Sequence, residues 1–341
     1  MGVRGVQAWC MAAVVAAMAA MGLGARAADP VTPYKFVKEI PIGGGSGWDY
    51  LSAEPTTHRL FVTHGTKVVV IDTADNKVVG EIADTPGVHG FVAAPAIKRG
   101  FSSNGQENKS SIVDLETLKT IMKVPTGANP DSILYDPTSG EVWTFNGRGK
   151  SVTCYDGKTG KVIVDAIPLD GKPETGVVDP TAERVYVNLE DKNSIAVLDV
   201  KTHKVIDTWP IAPGEGASGL AIDVELHRLI AGCANSKMVM LDSSSGKVLA
   251  SVDCGQGVDA AAIDPATKLA FVSAGGSGTV TIASIDGDKL TVQQTLTTER
   301  GARTMTVDSQ THRIYLSNAK SRTDPTSFKV LVYGPEEAAK P

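Results

Sequence analysis

Disulfide bonds are not what holds this chain together. Of its four cysteines, Cys10 lies in an apolar N-terminal segment, and Cys154, Cys233 and Cys254 leave an odd number beyond it. No CxxC or CxxCH occurs, which excludes covalent haem attachment, a thioredoxin-like redox pair and a zinc knuckle. There is no P-loop, HExxH or nucleophile elbow. The cluster Gly43-Gly44-Gly45 precedes an apolar, strand-like stretch rather than a helix, so the phosphate-binding helix start that a nucleotide needs is missing. Neither nucleotide nor haem is expected. Lys/Arg runs are absent too, and an acidic chain without a basic face is a poor match for phosphates, so nucleic acid is not an expected partner. Aromatic residues make up only 5% of the chain, against 35 glycines, a balance suited to many tight turns between short strands.

Long hydrophobic runs are nearly absent as well. The single one, Met11 to Leu23, is too short and alanine-rich for a membrane span. It follows Arg4 and precedes Ala25-Arg26-Ala27, the small-x-small pattern read by signal peptidase. Residues 1–27 are therefore expected to be a signal peptide cleaved before Ala28, leaving a soluble periplasmic or secreted protein. Cys10 sits too early and lacks the preceding Leu-x-small pattern of a lipoprotein. Losing the two arginines of that segment takes the formal charge from −5 to −7.

What the chain does have is a repeat. The stretch Asp179-Pro180-Thr181-Ala182-Glu183-Arg184-Val185-Tyr186-Val187 has relatives beginning at Glu54, Ala94, Asp136, Asp223, Asp264 and Asp308. Positions equivalent to Pro180 fall at 55, 95, 137, 180, 224, 265 and 309, spaced by 40 to 44 residues. A second anchor follows in most units, as in Val70-Ile71-Asp72, Ile112-Val113-Asp114, Val197-Leu198-Asp199 and Met240-Leu241-Asp242. Beyond it lies a turn such as Thr159-Gly160-Lys161-Val162 or Ser245-Gly246-Lys247-Val248. Each unit reads as four short strands, with a Pro/Asp turn between the first and second and a Gly-Lys turn between the third and fourth. Four-stranded repeats of this length are propeller blades. Sustained apolar spacing at three and four residues, which a helical solenoid requires, is not found.

The ends complete the count. Lys35-Phe36-Val37-Lys38-Glu39-Ile40 matches a fourth strand, as in Lys77 to Ile82, and the chain finishes on Phe328 to Val332, which matches a third. Together they make one blade, hiding edges that an open array would leave unpaired. The fold class expected is all-β: a seven-bladed propeller of four-stranded antiparallel blades over residues 28–336, closed by its N-terminal strand, with a tail at 337–341. Through units such as Arg184-Val185-Tyr186-Val187-Asn188 and the Gly-Lys-Val turns, the mature chain resembles the YVTN or YncE-like β-propeller family. The resemblance implies the fold and says little about chemistry, because function lives in the site.

If first strands line the channel, the residue six before each Pro position opens one at the channel mouth. These are Asp49, His89, Asp131, Glu174, Ser218, Asp259 and Arg303, followed inward by small residues including Gly90, Ser132, Thr175, Gly219 and Ala260. Loops between second and third strands open on the same face and carry His64, Asn104, Asn146, Glu190, Cys233 and Asn318. Oxygen donors alone suit Ca²⁺ or Mg²⁺; Asp49, Asp131, His64 and His89 together suit zinc or another transition metal. The same groups suit a polar organic ligand, or simply one another, with Arg303 neutralising Asp49 or Asp259. His58, His203, His227 and His312 fall in turns elsewhere and are expected to be solvated. Cys233 and Cys254 sit two strands apart, about 9.5 Å, beyond the roughly 7 Å α-carbon limit of a disulfide, so they are expected to be free. Cys154 is expected to be a small core residue.

Two functions compete. One is a monomeric exported propeller binding a small ligand, metal ion or protein partner at an acidic mouth. The other is a metal-assisted lyase or lactone hydrolase using the same mouth, with the metal polarising a carbonyl and His89 or a carboxylate taking the proton. The absence of an assignable nucleophile–base pair favours binding. The long segment between Asn318 and Phe328, with Arg322 and Asp324-Pro325, is expected to overhang the mouth.

Overall fold

Each repeat folds into four strands because its apolar residues come in short β-branched runs separated by aspartate-anchored turns. Asp72, Asp114, Asp156, Asp199 and Asp242 end third strands, and each carboxylate accepts hydrogen bonds from backbone N–H groups two or three residues on. That is the local bond pattern that makes aspartate a turn former. The turn exits through a left-handed residue: Asn76, Leu118, Gly160, His203 and Gly246 all have φ between 53° and 72°.

The computed structural model describes residues 1–2, 32–44, 47–321, 324 and 326–336. Most of the expected signal peptide and the 337–341 tail lie outside the described residues. From Thr32 onward the chain forms seven four-stranded antiparallel sheets, the blades of a β-propeller. Blade 1 comprises Trp48–Glu54, Arg59–His64, Lys67–Asp72 and Lys77–Ile82, and blade 2 Val88–Ala94, Arg99–Asn104, Lys109–Asp114 and Lys119–Pro125. Blade 3 is Pro130–Tyr135, Glu141–Asn146, Ser151–Asp156 and Val162–Pro168; blade 4 is Pro173–Asp179, Arg184–Leu189, Ser194–Asp199 and Lys204–Pro210. Blade 5 runs from Ala217–Asp223 to Val248–Asp253, and blade 6 from Val258–Asp264 to Lys289–Thr297. Blade 7 combines Met305–Asp308, Arg313–Ala319 and Phe328–Pro335 with the N-terminal strand Tyr34–Pro41. Among the described residues the helical content is three short 3₁₀ turns, Pro55–Thr57, Pro95–Ile97 and Glu190–Lys192. No helix there is long and apolar enough to cross a membrane.

Burial follows strand position. Second and third strands are covered on both faces by neighbouring blades, so Leu60, Phe61, Val62 and Val68 to Ile71 are all buried. Continuous apolar runs are what such doubly covered strands require. Fourth strands form the rim, and Val78 and Val79 stand exposed there. The core is thus a series of apolar seams, such as the one where Trp143, Phe145 and Val152 of blade 3 meet Val185, Val187 and Leu198 of blade 4.

The closure expected from the two ends is present. Tyr34–Pro41 pairs antiparallel with Phe328–Pro335, from Tyr34 opposite Pro335 to Pro41 opposite Lys329. Tyr34 then locks the strand to blade 6. Its backbone N–H donates to Gln294 Oε1 and its carbonyl accepts from Gln294 Nε2, both at 2.8 Å. The Tyr34 hydroxyl donates to the His312 carbonyl at 2.8 Å, and its ring packs edge-on against Phe271.

Candidate functional site at the channel mouth

The ring residues stand one place inside the strand starts expected from sequence. First strands begin at Trp48, Val88, Pro130, Pro173, Ala217 and Val258, so Asp49, His89, Asp131, Glu174, Ser218 and Asp259 come second; in blade 7 the strand begins at Met305, after Arg303. The reason is a break in register at this point in the first-to-second strand ladder of blades 1 to 6. Such irregularities bend a strand and re-aim its side chains. The backbone groups released there are caught by hydroxyls. Thr63 Oγ1 accepts from Asp49 N–H at 3.1 Å and Ser103 Oγ from Gly90 N–H at 2.9 Å. Carbonyls of the ring residues are held from the preceding blade: Asp131 by Ser103, Glu174 by Ser132, Arg303 by Ser273 and Asp49 by Thr304. The ring is therefore fastened blade to blade.

Three of its members converge. His89 Nδ1 lies 2.7 Å from Asp49 Oδ2 and 3.8 Å from Asp131 Oδ1, and one donor atom from each residue falls within 4.8 Å of the others. Gly105 backs the imidazole so closely that a β-carbon there would sit 2.7 Å from His89 Nε2, which holds the ring in place. Arg303 answers the carboxylates on the other side, pairing with Asp259 and reaching to 3.7 Å from Asp49 Oδ1. Lys172 does the same for Glu174 and also meets Glu190 at 2.6 Å. Of these residues Asp49, His89 and Arg303 border a cavity of about 620 Å³, lined also by Trp48, Gln106 and Asn129.

The electrostatics record crowding. Burial, followed by the charge of Asp49, pushes the Asp131 carboxyl up to about 6 against the opposing pull of His89 and Lys172. Burial and Asp131 push Glu174 up to about 8 despite its pairing with Lys172. Burial also raises Asp259 to about 6, with Arg303 opposing and Asp49 adding to the rise. Burial on its own lowers His89, but its hydrogen bond to Asp49 and the charges of Asp131, Asp49 and Glu174 outweigh this and hold the imidazole above its ordinary value. The donor set is one imidazole nitrogen and two carboxylates, compatible with zinc or another transition metal. A cation would relieve the repulsion among the carboxylates.

Two residues of the site escaped sequence reasoning. Tyr50 crosses the channel from blade 1 and its hydroxyl lies 3.1 Å from Thr175 Oγ1 of blade 4. Half-buried, with the charges of Asp131, Glu174, Asp49 and Asp259 acting on it, its phenol is held far above its ordinary value, first by burial. It lies immediately beneath the acidic ring. The signal was legible, since Tyr50 occupies the position where other blades carry Gly90, Ser132, Thr175, Gly219, Ala260 and Thr304. Lys172 likewise stands where five blades carry Gly47, Gly87, Gly216, Gly257 and Gly301.

Other sequence candidates go elsewhere. His64 is buried with its ring stacked on Phe328 at 4.1 Å, and it is not among the converging donors of Asp49, His89 and Asp131. Asn104 and Asn146 are fully buried, and their amides bond within their own blades to Glu107 and Ser111 and to Ser151 and Thr153 respectively. Asn318 donates to Glu299, and Ser218 Oγ to the Val258 carbonyl. Cys154, Cys233 and Cys254 are free thiols. Arg322 and Pro325 of the segment expected to overhang the mouth lie outside the described residues. His58 and His227 are exposed; His312 keeps a third of its side chain exposed but is paired, and His203 is largely covered. His312 Nδ1 pairs with the buried Asp264 at 2.7 Å. His203 stacks on Trp143, and its Nε2 lies 3.0 Å from Glu141 Oε2, which also accepts from the Cys154 thiol at 3.3 Å. Burial and Glu141 hold that thiol well above its ordinary value. Neighbouring blades supply partners that a linear reading of turns does not contain.

No family model and no curated protein matches the chain. Among solved structures it is similar to hydrazine synthase from Kuenenia stuttgartiensis, with a TM-score of 0.72 over 84% of this chain and 95% of that one at 16% identity. At that identity the likeness is one of fold.

Proposed function

We propose that this is an exported propeller of the YVTN or YncE-like kind that binds a divalent cation, and through it a small polar ligand, at the mouth of its channel. The observation that carries the reading is the convergence of Asp49, His89 and Asp131 donor atoms within 4.8 Å at the border of the cavity. Mixed nitrogen and carboxylate donors favour a transition metal such as zinc over calcium or magnesium. Export rests on the Met11–Leu23 run and Ala25-Arg26-Ala27, and places the mature protein in the periplasm or outside the cell.

The test is elemental analysis of protein purified without chelator, followed by thermal melts with added Zn²⁺, Ca²⁺ and Mg²⁺. A ligand that binds only the native state raises the melting temperature. A metal bound as purified, or a rise strongest with Zn²⁺, is the expected result; no bound metal and no shift with any of the three removes the cation reading. A metal-assisted lyase or lactone hydrolase is the second reading. Asp259, at about 6 and outside the converging donor set, suits proton transfer near neutral pH. Turnover of a lactone panel by the metal-loaded protein separates catalyst from binder.

A further inference from the structure

The repeat predicts what should stand at each position of each blade, and at one place three positions depart from it together. Where second strands begin, five blades carry arginine: Arg59, Arg99, Arg184, Arg228 and Arg313; blade 3 carries Glu141. In the third strand, the residue paired across the ladder with Phe61, Phe101, Tyr186 or Phe271 is Val70, Ile112, Val197 or Ile282; the one paired with Trp143 is Cys154. Where blades 1, 2, 3 and 5 exit the Asp turn through Asn76, Leu118, Gly160 and Gly246, blade 4 uses His203. The smaller Cys154 opposite the larger Trp143 suits the packing of the core, but packing does not call for the charge reversal at Glu141 or the imidazole of His203. Charge reversal, a thiol and an imidazole are nonetheless brought together across the seam between blades 3 and 4. They lie at the end of the sheet opposite the mouth, where second strands begin and third strands finish.

We propose that Glu141, Cys154 and His203 form a binding site for a borderline divalent cation of the zinc class, with a fourth position left to solvent. Their donor atoms already lie together: Glu141 Oε2 is 3.0 Å from His203 Nε2 and 3.3 Å from Cys154 Sγ, with all three residues represented within 4.8 Å. Around a tetrahedral zinc with bonds of about 2.0–2.3 Å, neighbouring donors are separated by roughly 3.3–3.7 Å, so the two separations from Glu141 Oε2 are within a few tenths of an ångström of what an ion requires, and the third edge of the triangle lies within 4.8 Å. The setting suits the task. The Cys154 residue is fully buried, while the Glu141 and His203 side chains are each 14% exposed, leaving an approach from solvent. Trp143 stacks on the imidazole at 5.4 Å and fixes its plane. Among the described residues no lysine or arginine pairs with Glu141, whose one ionic partner is His203. A thiolate with an imidazole selects a borderline metal over calcium or magnesium.

The experiment uses the mature protein, stripped with chelator and titrated with Co²⁺ as a spectroscopic stand-in for zinc. The expected result is a near-ultraviolet thiolate-to-cobalt charge-transfer band with strong visible bands of a four-coordinate ion, all displaced by Zn²⁺. Cys154→Ser should abolish the charge-transfer band, and Glu141→Gln and His203→Gln should each weaken cobalt binding at least tenfold. His89→Ala, at the mouth, should leave the band intact. Circular dichroism establishes that each variant is folded. If wild-type protein shows no thiolate band, or the band survives in Cys154→Ser, the site does not exist; the wild-type measurement decides even if a variant fails to fold. Because the converging set of Asp49, His89 and Asp131 includes no cysteine, loss of cobalt binding there leaves the band untouched, and the two sites stand or fall separately.

Discussion

Asp131 illustrates how a single carboxyl can oppose the fold that holds it. Its carboxyl sits near 6 in the folded chain, above the ordinary 3.8, so the native state binds the proton more tightly than the unfolded one. The stabilisation is fully present below about pH 4 and is lost as pH rises through 6. Asp131→Asn removes the titration. In chelator it should melt above wild type at pH 8 by a few degrees, corresponding to something on the order of 1–2 kcal/mol, with the gap shrinking at pH 5. The same variant should lose the Zn²⁺-induced rise in melting temperature. Equal differences at pH 5 and pH 8 would refute the crowding. Tyr50 makes a second residue-scale case. Tyr50→Phe leaves Thr175 Oγ1 without the partner it has at 3.1 Å, which should cost about 1 kcal/mol and lower the melting temperature by a few degrees. An unchanged melt would mean that the bridge across the channel contributes nothing.

At the scale of the element, the N-terminal strand is the decisive piece. Tyr34–Pro41 covers the edge of Phe328–Pro335 and is tied to blade 6 through Gln294. Without it, Phe328–Pro335 presents unpaired N–H and C=O groups, a template for aggregation. Deleting Tyr34 to Ile40 should lower the melting temperature sharply and promote association, as followed by circular dichroism and light scattering. A truncated protein that melts like the mature chain would overturn the closure as a stabilising device. First strands play a different part. Their break in register aims the ring side chains into the mouth, and hydroxyls from the neighbouring blade fix the carbonyls behind them. Six of the seven ring residues were legible to within one position of their strand starts, because Pro-turn spacing is regular; Arg303 stands two before its strand. Sequence reasoning could not place the irregularity, which depends on pairing with a second strand.

For the whole molecule, the proposed export predicts a mature N-terminus at Ala28, and intact mass after expression with the native leader checks it; an uncleaved Met1 would remove the periplasmic reading. Fold class, blade number and closure were legible in the chain by itself, because a repeat of 40 to 44 residues states the same local solution seven times. Turn chemistry and apolar runs act over a few residues, and repetition turns that short-range information into an architecture. The candidate ring was also legible as a set, since equivalent positions of a propeller meet around one axis. Which of its members touch was not. His89 lies 40 residues from Asp49, and Arg303 more than 250 from it, yet they form one network. Only closure of the blades brings them together and decides that Lys172 and Arg303 offset the acids, that Tyr50 reaches Thr175, and that His64 stacks on Phe328. The same holds for Glu141, Cys154 and His203: each is a departure visible in the repeat, and their meeting exists only where one blade packs on the next.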